Sequence, residues 1–225
     1  METAKIKAVI FDMDGVLVDS EEVERECMKQ SAALQGLPFE DKFYELFLGC
    51  NEKMSIKILV DRYHDEHKVQ QMMKDFVTIE AKAYEDGMVK LKKGCQEILS
   101  YLQDKGLPYA LATGSSRRYV EIDFLNNGYE EVPFEYIVTG DQITNSKPDP
   151  EIYLKAASAM GINIKDCLIV EDSPKGIEAA RVSGALTCLV PDLAAPDEEM
   201  LRKADHFCED LFAVKELIET LTDKI

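Results

Sequence analysis

The sequence predicts an α/β protein in which helices flank a parallel β-sheet and a helical segment is inserted after the first strand. Three observations favour this fold class. Short, β-branched or aliphatic runs recur along the chain and are typical of buried strands. Stretches with helix boundary signals separate the later runs, and such alternation is typical of a parallel sheet with crossover helices. One long segment after the first run has helical spacing without a strand signal.

The predicted strands are five apolar runs of four or five residues each. A short, continuously apolar run is typical of a strand that is buried on both faces of a parallel sheet. The first of these runs contains Ala8, Val9, Ile10 and Phe11. The five predicted strands cover residues 7–11, 108–112, 136–139, 167–171 and 186–190.

The helices between the later strands are marked by their end residues. A polar N-cap residue, Pro near the first helical position and Gly after the last turn together delimit a helix. The predicted helices cover residues 95–104, followed by Gly106; 117–126, between Ser115-Ser116 and Asn127-Gly128; the stretch from Asp149-Pro150 to just before Gly161; and the stretch from Ser173-Pro174 to Gly184.

The segment from 19 to 88 breaks this alternation. Its apolar residues recur at helical spacing, as in Ile56, Leu59 and Val60, and none of its runs indicates a strand. A single hydrophobic core can serve a domain of up to roughly 250 residues, so one domain with an insertion suits this chain length. We therefore predict a core domain made of residues 1–18 and 89–225, and a helical cap domain over residues 19–88.

Composition limits the partners of the chain. Its 43 acidic residues against 26 Lys and Arg give a net charge of −17, which repels nucleic acid and anionic membrane surfaces. No apolar run approaches the ~20 residues that cross a bilayer, and no cleavable signal is recognised. We expect a cytoplasmic monomer that binds neither nucleic acid nor membrane.

The cysteines occur singly, which favours reduced thiols over a zinc site or disulfides. They are Cys27, Cys50, Cys95, Cys167, Cys188 and Cys208.

Polar residues follow four of the predicted strands where each strand ends. In a doubly wound sheet, ligands bind outside the carboxyl ends of the strands, so these residues are the candidates for chemistry. In chain order they are Asp12-Met13-Asp14-Gly15, Thr113-Gly114-Ser115-Ser116, Lys147-Pro148 after a short loop, and Glu171-Asp172-Ser173.

The first of these groups predicts a metal site. An Asp-x-Asp-Gly sequence by itself is equally typical of a turn. Asp12, however, directly follows a buried strand, where an uncompensated charge costs several kcal/mol. A hard divalent cation meets this need, and Mg²⁺ suits a site that also holds a phosphate. Asp12 and Asp172 can reach one cation from adjacent strands, and Asp14 offers its backbone carbonyl.

The remaining groups predict a pocket for a phosphate dianion. A helix N-terminus binds anions, and a lysine adds a fixed positive charge. Such a pocket suits phosphoryl transfer in which Asp12 attacks in line and Asp14 protonates the leaving oxygen. A water deprotonated by Asp14 would then hydrolyse the aspartyl-phosphate. The predicted phosphate-binding residues are Thr113, Gly114, Ser115 and Lys147.

Four sequence motifs resemble those of the haloacid dehalogenase superfamily, in the branch that includes β-phosphoglucomutase and small sugar-phosphate phosphatases. They read FDMDGVLVDSE, LATGSS, SKPDPEIY and VEDSPKGIEAARVSG, in this order. The resemblance covers residues 1–18 and about 89–192. It implies a Rossmann-like core, a helical cap inserted after the first motif, a Mg²⁺ requirement and a small cytosolic phosphomonoester as substrate.

The resemblance also implies a role for each matching residue. Asp12 would be the nucleophile and Asp14 the acid/base. Thr113, Ser115 and Lys147 would bind the phosphate, with the neighbouring Gly15 and Gly114. The metal site would comprise Asp172, Asp12, Asp14 and Glu171, of which Glu171 would bind the metal directly or hold metal-bound water or Lys147.

Departures in the cap favour a phosphatase over a mutase. The mutases of this branch have a histidine twelve residues after the nucleophile and an arginine in a cap loop, whereas this chain has Glu24 and Glu52 there. Lys53 and Lys57 lie near the second position. The alternatives are a β-phosphoglucomutase-like phosphotransferase and an inactive phosphate-binding or receiver-like signalling module. A receiver takes phosphate on an Asp after a middle strand, and this order does not fit the chain.

Overall fold

The computed structural model describes residues 5–47, 52–193 and 195–222. One compact unit contains the residues up to Asp19 together with those from Lys90 onward, and the other runs from Ser20 to Val89. The first unit contains the β-sheet, and the second is helical in its described residues. The predicted fold class is confirmed. The division into core and cap domains between residues 18 and 19 and between 88 and 89 stays a prediction.

Six parallel strands form a single sheet. They are β1 (Ala8–Phe11), β2 (Tyr109–Ala112), β3 (Tyr136–Val138), β4 (Cys167–Glu171), β5 (Leu186–Leu189) and β6 (His206–Phe207). Their spatial order is β3-β2-β1-β4-β5-β6. The five predicted strands are confirmed with ends that differ by at most one residue. Every side chain of β1 and β4 is buried, which explains their unbroken apolar character.

The described residues of the second unit form α1 (Ser20–Leu34), α2 (Asp41–Tyr44), α3 (Glu52–Tyr63) and α4 (Glu66–Glu85). A 3₁₀ turn, Glu45–Phe47, follows α2. Helix α1 packs against α4 and buries Cys27 and Met72. The predicted cap loop lies mostly outside the described residues, since Gly49, Cys50, Asn51 and the side chain of Glu52 are not part of them.

In the part of the sheet unit that the structure describes there are six helices: α5 (Cys95–Lys105), α6 (Arg117–Asn126), α7 (Glu151–Met160), α8 (Pro174–Ser183), α9 (Glu198–Lys203) and α10 (Leu211–Leu221). The four predicted helices correspond to α5–α8. At the start of α8, the Ser173 hydroxyl accepts a hydrogen bond from the Gly176 N–H at 3.1 Å. Helix α7 packs against the sheet through Ile152 and Ala156, which share a buried cluster with Ile10 of β1.

The two chain connections at the edge of the sheet unit are held side by side. The Asp19 N–H donates to the Lys90 carbonyl at 2.8 Å, and the Lys92 N–H donates to the Leu17 carbonyl at 2.8 Å. Val18 and Leu91 form an antiparallel bridge between these connections. Lys92 is therefore held beside the loop that follows β1.

Two predictions from composition bear on the described residues. The five described cysteines are buried and free, as predicted, and Cys50 lies outside the described residues. Among the residues described, no helix combines the length and hydropathy needed to cross a bilayer.

Candidate active site

The carboxyl ends of β1 and β4 bring three carboxylates together. Asp12 directly follows β1, Glu171 ends β4, and Asp172 follows it. One carboxylate oxygen from each residue lies within 4.8 Å of the other two. The two strands are neighbours, and the Asp12 N–H donates to the Val170 carbonyl at 3.0 Å. The structure thus brings Asp12 and Asp172 together at the ends of adjacent strands.

Lys147 bridges two of these carboxylates. Its Nζ donates to Asp12 Oδ1 at 2.6 Å and to Glu171 Oε1 at 2.7 Å. The ammonium also lies 5.0 Å from the ring centroid of Tyr153. Burial lowers the pKa of Lys147, but Asp12 and Glu171 raise it by more, so that it lies well above its usual value. Lys147 therefore carries its charge at neutral pH.

Glu171 is a fully buried carboxylate with a complete set of hydrogen-bond donors. Besides Lys147, Oε1 accepts from the Tyr153 hydroxyl at 2.6 Å. Oε2 accepts from the Asp172 N–H at 2.9 Å and from the Ser173 N–H and hydroxyl at 3.0 Å each. Burial raises the pKa of Glu171, but the Lys147 charge and these hydrogen bonds lower it below its usual value. Glu171 thus stays ionised and fixes the position of Lys147.

The carboxylates of this cluster lack sufficient positive charge. Burial raises the pKa of Asp12, as do Glu171 and Asp14, although Lys147 opposes the effect. Burial raises the pKa of Asp172 further, and the charges of Glu171, Asp12 and Asp192 add to it. Because burial and like charges both favour the neutral acids, an additional cation at this place would be strongly bound. The oxygen donors are of the kind that hard divalent cations prefer.

The turn after β1 requires glycine at position 15. Gly15 has φ +74°, and a Cβ placed there would lie 2.3 Å from Asp172 Oδ2. Its N–H donates to the Val18 carbonyl at 3.0 Å and closes the turn. A side chain at this position would displace the carboxylate that follows β4. Gly15 therefore lets the β1 loop approach Asp172 closely.

Asp14 and two of the predicted phosphate-binding residues form a second group at the same edge of the sheet. The Ser115 hydroxyl donates to Asp14 Oδ2 at 2.6 Å, and the Thr113 hydroxyl lies 3.3 Å from the same oxygen. Thr113 Oγ1 also accepts from the Ser115 N–H at 2.9 Å. The loop after β2 thus holds the Asp14 side chain, and Gly114 is exposed between the two hydroxyl residues. Gly140 packs closely against Gly114: a Cβ placed on Gly140 would lie 2.1 Å from the Gly114 carbonyl oxygen.

The candidate residues of the helical unit are engaged within that unit. The Tyr44 and Tyr84 hydroxyls each lie 3.4 Å from a carboxylate oxygen of Glu24. Lys57 pairs with Asp61 at 2.5 Å on the exposed face of α3, and Lys53 is exposed. Glu24 is therefore part of a hydrogen-bonded tyrosine and carboxylate cluster inside this unit.

Four residues joined to the site were not assigned a role from the sequence. Tyr153 and Ser173 lie within the motifs quoted above, and their hydroxyl groups were the only available signal. Lys92 and Asp192 form an ion pair in the sheet unit and belong to none of these motifs. Their involvement depends on the folded structure.

The chain is similar in sequence and in structure to several known proteins. Residues 9–190 match the haloacid dehalogenase-like hydrolase family. The phosphorylated carbohydrates phosphatase of Thermotoga maritima is 32% identical over 80% of this chain and 82% of its own. The validoxylamine A 7′-phosphate phosphatase of Streptomyces hygroscopicus is 29% identical over 93% of this chain and 96% of its own. A Thermotoga maritima structure provisionally assigned as a β-phosphoglucomutase superposes with TM-score 0.80, at 28% identity, over 96% of this chain and all of that one.

Proposed function

The chain belongs to the haloacid dehalogenase-like hydrolase family, and on this premise we propose that it is a Mg²⁺-dependent phosphatase that hydrolyses small phosphomonoesters through an aspartyl-phosphate on Asp12. The observation that carries the proposal is the bridge of Lys147 between Asp12 and Glu171, with Asp172 and Asp14 beside it. This arrangement supplies a carboxylate nucleophile, a fixed positive charge and a second carboxylate for proton transfer.

The donor set fits a hard divalent cation. Three buried or half-buried carboxylates converge, and burial together with like charges raises the pKa of both Asp12 and Asp172. Asp12 and Asp172 would hold Mg²⁺ through their carboxylates, and Asp14 through its backbone carbonyl. Glu171 lies close enough to join them, but its hydrogen bonds favour a role in holding Lys147. When bound, Mg²⁺ would neutralise negative charge on the phosphoryl group.

In the first step, a carboxylate oxygen of Asp12 forms a bond to phosphorus while the bond from phosphorus to the ester oxygen breaks. Lys147 stabilises the charge on the phosphoryl oxygens. The leaving alkoxide takes a proton from the Asp14 carboxyl, so the first product leaves as an alcohol. The hydroxyls of Ser115 and Thr113 hold the Asp14 side chain in place.

In the second step, a water molecule attacks the phosphorus of the aspartyl-phosphate. Asp14, now a carboxylate, takes a proton from this water. The bond from phosphorus to the Asp12 oxygen breaks, which regenerates Asp12 and releases inorganic phosphate. The predicted phosphate-binding groups, which include the Thr113 and Ser115 hydroxyls, can exchange their hydrogen bonds to Asp14 for bonds to phosphate oxygens.

The proposed substrate class rests on the relatives, two of which are named for phosphorylated carbohydrates and for validoxylamine A 7′-phosphate. A sugar phosphate or a similar polyol phosphate is therefore proposed. A β-phosphoglucomutase-like transfer is the second candidate, since a structure so assigned is 28% identical to this chain. The acid at Glu24, where the mutases have a histidine, favours hydrolysis. A monomeric cytoplasmic enzyme without nucleic-acid partners stays our expectation.

A release assay tests the proposal. The protein, freed of metal with EDTA, is incubated with a panel of phosphomonoesters with and without added Mg²⁺, and inorganic phosphate is measured. Asp12→Asn should lower the rate by about 10³-fold or more, because an amide does not attack phosphorus. Asp104→Asn removes the same charge from an exposed position in the last turn of α5 and serves as the control. Residual Asp12→Asn activity within about tenfold of wild type would contradict the nucleophile assignment.

A second assay separates hydrolysis from mutase activity. The protein is incubated with Mg²⁺, β-glucose 1-phosphate and a trace of the 1,6-bisphosphate, and glucose 6-phosphate and inorganic phosphate are measured together. We expect phosphate release to dominate. Formation of glucose 6-phosphate more than about tenfold faster than phosphate release would replace the phosphatase proposal with the mutase alternative.

A further inference from the structure

Asp192 is a buried carboxylate near the site, and one of its two oxygens lacks a partner. It lies in the loop after β5, and its side chain is only 8% exposed. Oδ1 accepts a hydrogen bond from Lys92 Nζ. Among the described residues, Oδ2 has no hydrogen-bond partner. A buried carboxylate oxygen without a donor costs free energy, so this arrangement needs a physical reason.

The unpartnered oxygen points toward the carboxylate cluster. A Cβ placed on Gly15 would lie 2.3 Å from Asp172 Oδ2 and 2.9 Å from Asp192 Oδ2. The two carboxylate oxygens therefore flank the same point beside the β1 loop. Two like charges brought together in a buried place repel each other strongly. A positive charge bound between these two carboxylates would offset their repulsion and explain the position of Asp192.

The two lysines that the structure places at this site already have other partners. Lys92 contacts Oδ1 of Asp192, and Lys147 is hydrogen-bonded to Asp12 and Glu171. Among the residues that the structure describes, the ammonium groups of Lys92 and Lys147 thus face five carboxylates around the site. These carboxylates belong to Asp12, Asp14, Glu171, Asp172 and Asp192.

We propose that Asp192 is an additional carboxylate of the divalent-cation site, acting through Oδ2, and that Lys92 fixes its orientation through Oδ1. The proposal rests on the cation site of the proposed function. Mg²⁺ keeps several of its water molecules when a protein binds it. When the cation is bound, Asp192 Oδ2 would accept a hydrogen bond from one of these waters, which would supply the missing donor. Asp192 is thus a positioning residue for the hydrated cation.

Calorimetry with Mg²⁺ tests the proposal on the full chain after removal of metal with EDTA. Asp192→Asn keeps the size of the side chain and an oxygen for Lys92 but removes the charge. We expect it to weaken Mg²⁺ binding by about 10- to 100-fold, as is typical when a residue that supports metal ligands is lost. The control is Asp104→Asn, which removes one negative charge from the exposed end of α5 and should bind Mg²⁺ with wild-type affinity.

A purely structural ion pair between Lys92 and Asp192 predicts a different result. In that case Asp192→Asn would lower the midpoint of urea unfolding in EDTA, and its Mg²⁺ affinity would stay within about twofold of wild type, which overturns the proposal. If Asp192→Asn does not fold, Asp192→Ser is measured in its place, with the same expected loss of affinity. If wild type binds Mg²⁺ and the variants bind it equally, only the Asp192 proposal fails. If wild type binds no Mg²⁺, the cation site of the proposed function fails as well.

Discussion

Lys147→Met is the substitution that tests the charge arrangement of the site most strongly. Met has a similar length and fills the same space, but it carries no charge. The substitution leaves Asp12 and Glu171, both buried, without the ammonium that lies 2.6 Å and 2.7 Å from them. Glu171 has no exposed surface, so water cannot replace the lost partner.

The expected loss of folding stability follows from the burial of Asp12 and Glu171. Removing one partner of a buried ion pair destabilises a protein by about 3–5 kcal/mol, because a charge is left buried and uncompensated. Domains of this kind are stable by about 5–15 kcal/mol, so the variant should still fold but with a clearly lower urea midpoint. Phosphatase activity should be lost, since Lys147 also stabilises charge on the transferred phosphoryl group.

The loss of folding stability in Lys147→Met should depend on pH in a definite direction. In the wild type, Lys147 holds the pKa of Glu171 below its usual value, so this contribution is present above about pH 4.3, the pKa in the unfolded chain, and is lost only at lower pH. Without Lys147, burial raises the pKa of Glu171 as well, and the pKa of Asp12, which burial already raises to about 7 in the wild type, rises further. The variant therefore gains more stability than the wild type as the pH falls from about 7 to about 5 and the acids become neutral. The difference between wild type and variant should narrow over this range.

Urea unfolding in EDTA at several pH values measures this effect. The control is Lys155→Met, which removes an exposed lysine paired with Glu151 at 2.7 Å and should change stability by about 1 kcal/mol or less at all pH values. A Lys147→Met variant as stable as this control, or a loss that widens as the pH falls, would refute the charge arrangement described for the site.

Three further predictions concern the neighbours of Lys147. Asp14→Asn should retain Mg²⁺ binding in calorimetry, because only its backbone carbonyl would bind the cation, but should lose turnover; an equal loss of Mg²⁺ affinity in Asp12→Asn and Asp14→Asn would contradict the division of roles. Gly15→Ala should lower stability by more than about 1 kcal/mol in urea unfolding and weaken Mg²⁺ binding, since φ is +74° and the new Cβ would meet Asp172 Oδ2 at 2.3 Å. Tyr153→Phe should cost about 1.5–3 kcal/mol in the same unfolding assay, because it removes a 2.6 Å hydrogen bond to the buried Glu171 carboxylate; unchanged stability would show that this hydrogen bond contributes nothing.

The sequence was most informative where a pattern is local. The strands at Ala8–Phe11 and Cys167–Glu171 were predicted because both of their faces are buried, which leaves an unbroken apolar run. Helix ends at Gly161 and Gly184 were predicted because both glycines adopt the left-handed conformation that ends a helix. The sixth strand, His206–Phe207, was missed because its two residues form no apolar run.

The details of the site depend on contacts between distant residues and were less predictable. The five donors to Glu171 come from three parts of the chain, and no sequence pattern indicates that they meet. Phosphate binding by the hydroxyls of Thr113 and Ser115 stays a prediction, and no sequence pattern indicates their hydrogen bonds to Asp14. Asp192 follows β5 in a loop without a motif, and only folding brings it to Gly15. Motifs therefore located the site, whereas tertiary packing determines its charge and hydrogen bonding.

The central claim is that Asp12 carries the phosphoryl group during the reaction. The direct measurement is a rapid acid quench during turnover of a good substrate with Mg²⁺, followed by digestion and mass spectrometry of the peptides. The account predicts a transient phosphoryl group on the peptide that contains Asp12, sensitive to hydroxylamine as an acyl phosphate is, and absent in Asp12→Asn. Product formation without any phosphorylated peptide, or with the phosphoryl group on another residue, would contradict it.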